Sequence, residues 1–354
     1  MKTKQSRQIL CFFLAAVFCL ALTGCAGTDN SQPFDEKFPW SDGEHKCVET
    51  ATYSFSRYLT GMTVDENFVL SGEDKTKGYK LNSFGELAYT VMEGFSVEPH
   101  GDGYKEVSKN DLTLIKMSLT VEYKIKEELN HIANTAVVNQ CAGKKDTMES
   151  FAVVNSYSLA PVFTYKNAVI EAGNNKSYTL TADYTGEITG TIGAKLVDSL
   201  GSTLNTEIKG GSYYDSESIY FIIRAMRSVN TNGSRAFNIV SPLDDLYAKA
   251  KRTSPKGAQQ STATGLSSIV VGEDLYKLFD GNSDTFALDC YKTELKLTEE
   301  KSGPPIDLYY SAIPTVSSYI SNSRYAAEKV LVEMSYKHGV FLQEFTLVEY
   351  ENTY

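Results

Sequence analysis

The chain has 354 residues, 42% hydrophobic and 22% charged, with a formal net charge of −10. That acidic balance argues against nucleic acid as a partner and against general adhesion to anionic lipid. Aromatic residues make up 12%, dominated by 23 Tyr, a bias towards strands.

Lys2, Lys4 and Arg7 precede an unbroken apolar run of fourteen residues, Ile9 to Leu22. A transmembrane helix needs about 20 residues, whereas this length suits the apolar part of a secretory signal. Leu22-Thr23-Gly24-Cys25 follows and resembles the bacterial lipobox. The resemblance implies cleavage before Cys25, acylation of its thiol and attachment to a membrane. The alternative is an ordinary signal cut near Ala21 or Ala26. Loss of residues 1–24 removes three positive charges and leaves −13. At about 0.8 kcal/mol per buried methylene, two or more acyl chains hold a soluble body at a bilayer. Ala26 stands where inner-membrane retention signals carry Asp, which leaves the outer membrane open where the organism has one.

Residues 25–44 mix Gly, Asp, Asn, Ser, Gln and Pro without periodicity and read as a tether. From Lys46 the period is two. Thr113, Ile115, Met117, Leu119, Val121, Tyr123 and Ile125 share one parity against Lys116, Ser118, Thr120, Glu122 and Lys124. This predicts a long half-buried strand over 111–126. Leu87, Tyr89 and Val91, and Phe151 to Leu159, predict two more. Tyr178 to Ile192 alternates without a break and predicts one strand about 50 Å long.

Leu196, Val197, Leu200, Leu204 and Ile208 fit one face of a short helix. Gly210-Gly211 would end it. Ser218 to Ser228, centred on Tyr220-Phe221-Ile222-Ile223, reads as a strand. Asp244 to Arg252 reads as a short helix, Thr253 to Ser268 as a Ser/Thr-rich linker, and Gly272 to Asp280 as one or two helical turns. Val330, Val332, Met334 and Tyr336 predict a strand that turns at His338-Gly339 and returns over 340–350.

The fold class is therefore mainly β: antiparallel sheets, sandwich-like or elongated, with a few short helices. The expected organisation is signal 1–24, lipidated Cys25 and tether 25–44, main domain 45–252, linker 253–268, and a smaller unit 269–354 or the remainder of the same domain. After the leader, Cys47, Cys141 and Cys290 remain. An odd count allows one disulfide at most, and the alternative is three buried reduced thiols.

Catalytic signatures are missing. There is no Gly-x-Ser-x-Gly elbow, His-Glu-x-x-His, phosphate loop or dinucleotide fingerprint. Of four His (His45, His100, His131 and His338), only His131 stands three residues after a Glu, Glu128. A di-iron bundle needs two such pairs. The 44 carboxylates leave a glycosidase-like pair open but single out none.

Asp280, Asn282 and Asp284 have the spacing of a calcium loop, yet Thr285 and Tyr291 replace its Gly and Glu. The wider stretch from Ser261 to Phe286 resembles the opening of a discoidin-type β-sandwich, which implies a structural calcium near the Asp-Gly turn. Tyr178 to Ile192, with the segment after it, resembles the membrane-inserting hairpins of aerolysin-like pore formers. Tyr213, Tyr214, Tyr309 and Tyr310 are candidate ring faces for a ligand, set against ordinary cross-strand packing.

The expected function is a lipid-anchored binding or scaffolding protein of the bacterial envelope, held to the membrane through Cys25, on its extracytoplasmic face. Its partner would be an envelope protein, a wall polymer or a glycan. No cofactor is called for beyond the calcium above. The rivals are a carboxylate-dependent hydrolase of envelope polymers and a membrane-perturbing β-hairpin protein.

Overall fold

Alternating apolar residues give strands throughout. The computed structural model describes residues 47–60, 73–74, 78–81, 83–123, 143–171, 176–185, 191–199, 203–209, 213–225, 233–240, 259–279, 284–296, 306–313, 315, 329–338 and 341–353. In chain order these contain β1 (Val48–Leu59), the short β2 (Glu73–Asp74) and β3 (Gly78–Lys80), β4 (Ser83–His100), β5 (Gly103–Tyr123), β6 (Lys145–Asn155) and β7 (Pro161–Ile170). Next come β8 (Lys176–Thr185), β9 (Thr191–Asp198), β10 (Thr203–Lys209) and β11 (Tyr213–Asp215). Helix α1 (Ile219–Ile222) runs into a 3-10 turn, Ile223–Ala225. Then follow β12 (Gly233–Val240), β13 (Gln259–Val270), α2 (Glu273–Lys277), β14 (Ala287–Lys296), β15 (Ile306–Ser311), β16 (Leu331–His338) and β17 (Phe341–Thr353).

The protein is mainly β and its sheet is antiparallel; of the described pairings only β11 with β12 is parallel. β4 to β10 pair in succession, each with the next. So do β12 to β17. β1 joins the two runs, pairing with β17 from Val48↔Thr353 to Leu59↔Phe341 and with β4 on its other side. Residues of β4–β8 and of β15–β17 line one cavity together, so the sheet curls around it.

The inward parity is the one the sequence predicts. On β5, Ile115, Met117, Val121 and Tyr123 are buried, and across from them on β4 so are Leu87, Tyr89 and Val91. Phe55 packs on Phe345 at 5.1 Å across the β1–β17 seam. Tyr53 stacks on Tyr89, and its hydroxyl donates to Leu331 O at 2.7 Å. Buried side chains on both sides of position 252 belong to one hydrophobic cluster, and all described residues fall in one compact unit, Phe34–Tyr354.

The β4–β5 hairpin turns through Gly101-Asp102, with His100 opposite Gly103. Gly101 takes φ 60°, the positive value that a tight two-residue turn needs and glycine adopts without strain. A bulge at Glu93/Phe95, with Gly94 at φ 76°, bends the hairpin. Its tip reaches the outer face of the sheet, where Tyr104 packs on Phe151, Phe163 and Tyr165 at 5.2–5.4 Å.

Four sequence expectations are corrected. The single strand over Tyr178–Ile192 is two, β8 and β9, paired from Leu180↔Asp198 to Thr185↔Gly193. The helix over 196–208 is the β9–β10 hairpin, with Leu204 opposite Leu196 and Ile208 opposite Ile192. The strand over 218–228 is α1 and its 3-10 turn as far as Ala225; an unbroken apolar run does not separate a buried strand from a buried helix. The linker over 253–268 is, from Gln259 onward, part of β13, paired with both β12 and β14. The predicted helix 244–252 lies outside the described residues. The turns at Gly272–Asp280 are α2, and the terminal hairpin is β16–β17, closing at His338↔Phe341.

Candidate functional site

Because the inward residues of a curled sheet converge, the interior is either filled or left as a cavity. Here α1 fills part of it. Ile219, Phe221, Ile222 and Ile223 are at most 2% exposed. Between α1 and the sheet remains a cavity of about 400 Å³. Leu87, Leu119, Leu180, Ala182, Ile306 and Phe345 supply apolar walls, and Met117, Met148 and Met334 add flexible thioethers. Methionine adapts its shape to what it touches.

The polar part of the lining is small and local. Thr164 and Lys166, two residues apart on β7, share its inner face; Ser216 and Glu217 come from the turn before α1. Lys166 Nζ donates to Glu217 Oε1 at 2.8 Å, with the side chains 19% and 9% exposed. Burial opposes the charge of Lys166, but Glu217 outweighs it and the ammonium is held more firmly than usual. Behind Glu217, buried Asp215 accepts from the Tyr184 hydroxyl and from the Glu217 backbone N–H, the latter at 2.8 Å. Burial first, and the charge of Glu217 second, push the Asp215 carboxyl up to about 6.

A second charged group is sealed deeper, behind the lining residue Tyr89. Glu49 on β1 and Arg224 in the 3-10 turn are both 0% exposed and meet at 2.6 Å. Tyr89 and Tyr350 each donate a hydroxyl to Glu49, at 2.6 and 2.9 Å. Burial opposes the Arg224 charge, but Glu49 overrides it and keeps the guanidinium protonated.

The tyrosines singled out from sequence do not form a shared ligand face. Tyr214 and Tyr310 are fully buried, and Tyr310 donates to Tyr220 O at 2.6 Å. Tyr309 is half-buried, with the Lys292 ammonium 5.7 Å from its ring. Tyr213 enters β11, paired with Asn238. Of the calcium-loop trio, Asp284 is exposed, while Asp280 and Asn282 lie outside the described residues. Among the described residues no three His, Cys, Asp or Glu side chains gather as a metal group. Cys25, Cys141, Glu128 and His131 also lie outside them.

Cys47 and Cys290 are buried and reduced. The Cys47 thiol donates to Asn352 Oδ1 at 2.9 Å, and burial raises its pKa. Burial pushes the Cys290 thiol up to about 12. His100 is exposed beside the β4–β5 turn, and His338 closes β16.

The cavity residues were missed in the sequence because no local motif joins β7 to the turn before α1. One signal was available: Lys166 shares its inner parity with buried Thr164 and Ala168, an unusual place for a charge.

Comparison with known proteins adds little. No family model matches the chain, and no curated protein matches it. Among solved structures, a β-barrel-like protein of a domain of unknown function, DUF1849, from Brucella abortus covers 87% of this chain and 98% of its own, at 9% identity and TM-score 0.46. Among the described residues, no helix is long and apolar enough to cross a membrane.

Proposed function

We propose that this chain is a lipid-anchored binding protein of the bacterial envelope whose curled sheet holds an apolar molecule. Cys25 ties the body to the extracytoplasmic face of the membrane, and no cofactor takes part. The observation that carries the reading is the cavity of about 400 Å³. Ligand pockets commonly enclose about 300–1,000 Å³, lined mostly by apolar side chains with a few placed polar groups. An anchor near a bilayer suits such a cargo, since apolar molecules partition there and an anchored binder meets them at raised effective concentration.

The enzyme and pore readings gain less. Asp215 and Glu217 sit on one turn, and each is already engaged. The Tyr178–Thr185 stretch, compared above with a pore-forming hairpin, is paired on both sides within the sheet, and Leu180, Ala182 and Tyr184 are buried there.

The test is binding of the uncharged dye N-phenylnaphthylamine to the full chain, purified without detergent and followed by fluorescence. Saturable enhancement is expected, lost in Met148→Trp, whose indole occupies the cavity while the melting transition persists. Enhancement that survives Met148→Trp unchanged would remove the cavity from the account. Mass spectrometry of the native amino terminus tests the anchor; a peptide beginning elsewhere than Cys25, or lacking acyl mass, overturns it.

A further inference from the structure

Resting on that reading, we infer that the cavity selects an apolar chain ending in a neutral or cationic hydrogen-bond donor, a hydroxyl or an amine, and rejects one ending in a carboxylate or phosphate. Among the described lining residues the only charged side chains are Lys166 and Glu217. The one ammonium is spent on Glu217 at 2.8 Å. Asp215, two residues from Glu217 and fully buried behind it, adds a second carboxylate with no cation of its own on the lining. The polar end of the cavity thus has one acidic group on its wall and a second directly behind it against one base. An anionic headgroup arriving there meets like charge in a poorly solvated place, where repulsion is weakly screened. To reach Lys166 it must break an existing ion pair and leave Glu217 uncompensated, which is costly for a buried carboxylate. A hydroxyl or ammonium finds an acceptor instead in the carboxylate of Glu217, while the hydroxyls of Ser216 and Thr164 on the same lining serve donor and acceptor headgroups alike. The rest of the wall is mostly hydrocarbon, with the tyrosines Tyr89, Tyr220 and Tyr336 among it, and its three methionines accommodate chains of different outline.

The experiment is displacement of N-phenylnaphthylamine from the full chain at neutral pH by dodecanol, dodecylamine and dodecanoate, each below its micellar concentration. The alcohol and the amine are expected to displace the dye at concentrations at least about tenfold lower than dodecanoate, one decade being about 1.4 kcal/mol. Glu217→Gln should shrink that preference to within about threefold while dodecanol still binds. Lys166→Met, which leaves the carboxylates in larger surplus, should widen it, and stands as the check if Glu217→Gln does not fold. Dodecanoate displacing as well as the alcohol, or a preference unmoved by both substitutions, overturns the inference and leaves the cavity reading standing. Failure of all three amphiphiles to displace the dye, with dye binding insensitive to Met148→Trp, overturns the cavity reading itself.

Discussion

Two buried ion pairs sit on the same curled sheet and behave as opposites. Glu49–Arg224 is sealed: both side chains are 0% exposed, and two tyrosine hydroxyls complete the coordination of the carboxylate. Lys166–Glu217 lies on the cavity wall, partly exposed, with a second carboxylate close behind. The same chemistry serves two ends. In the first site the carboxylate is met wholly from inside the protein, so the pair pins β1 to the turn after α1. In the second the pair stands on the cavity wall, so whatever enters meets it.

The sharpest way to break the comparison is to unmatch the sealed pair. Arg224→Met strands the Glu49 carboxylate away from water and is expected to cost about 3–5 kcal/mol, read from urea unfolding. Adding Glu49→Leu to that variant should recover much of the loss, because the charge goes with its partner. If Arg224→Met costs no more than an exposed substitution does, the site is not sealed.

Asp215 gives the next effect, and its sign is fixed by the direction of its shift. Its folded pKa, about 6, lies above its ordinary value of 3.8. The folded state therefore binds the proton more tightly, and this contribution to stability is complete below about pH 4 and lost as pH rises through about 6. At about 1.4 kcal/mol per unit, the swing is about 3 kcal/mol. Asp215→Asn, which keeps an acceptor for Tyr184, should flatten stability against pH across that window. An unchanged slope in urea titrations would assign the pH dependence elsewhere.

Tyr310→Phe removes one donor from the core without emptying it. The loss of its bond to Tyr220 O should cost about 1 kcal/mol by the same measurement. Lys277→Ala marks the lower limit. Its pairs with Glu273 and Asp274 on α2 are solvent-exposed, and its melting temperature should match the parent within error.

The comparison also shows what a sequence can and cannot disclose. β5 was legible because one face is buried over most of its length, and the β16–β17 hairpin because its apolar residues alternate in sequence up to the His338-Gly339 turn, although β16 is buried on both faces from Leu331 to Ser335. The β8–β9 hairpin was hidden by its register. Ala182 pairs with Leu196 and Tyr184 with Ala194, so cross-strand partners share parity and the alternation runs on through the reversal. Only Gly186 and Gly190 hinted at a turn. The β9–β10 hairpin carries a helical signature in its sequence because apolar residues four apart suit both periods. Of the interior site, the ingredients were visible but the meeting was not: Lys166 and Glu217 are 51 positions apart and are joined by the folding of α1 into the sheet. Glu49 and Arg224, 175 apart, met in the same way.

The β1–β17 seam has a consequence for how the molecule is made. Val48 and Thr353 are 305 positions apart, yet they are neighbours on adjacent strands. Contacts of such long reach form late, since the intervening loop must close first. A chain made from its amino end carries β1 with one flank bare until β17 arrives, and an unpaired strand edge invites pairing with another chain. Synthesis thus leaves a sticky interval that shortens with the speed of elongation, and a chaperone that shields β1 would act at that moment.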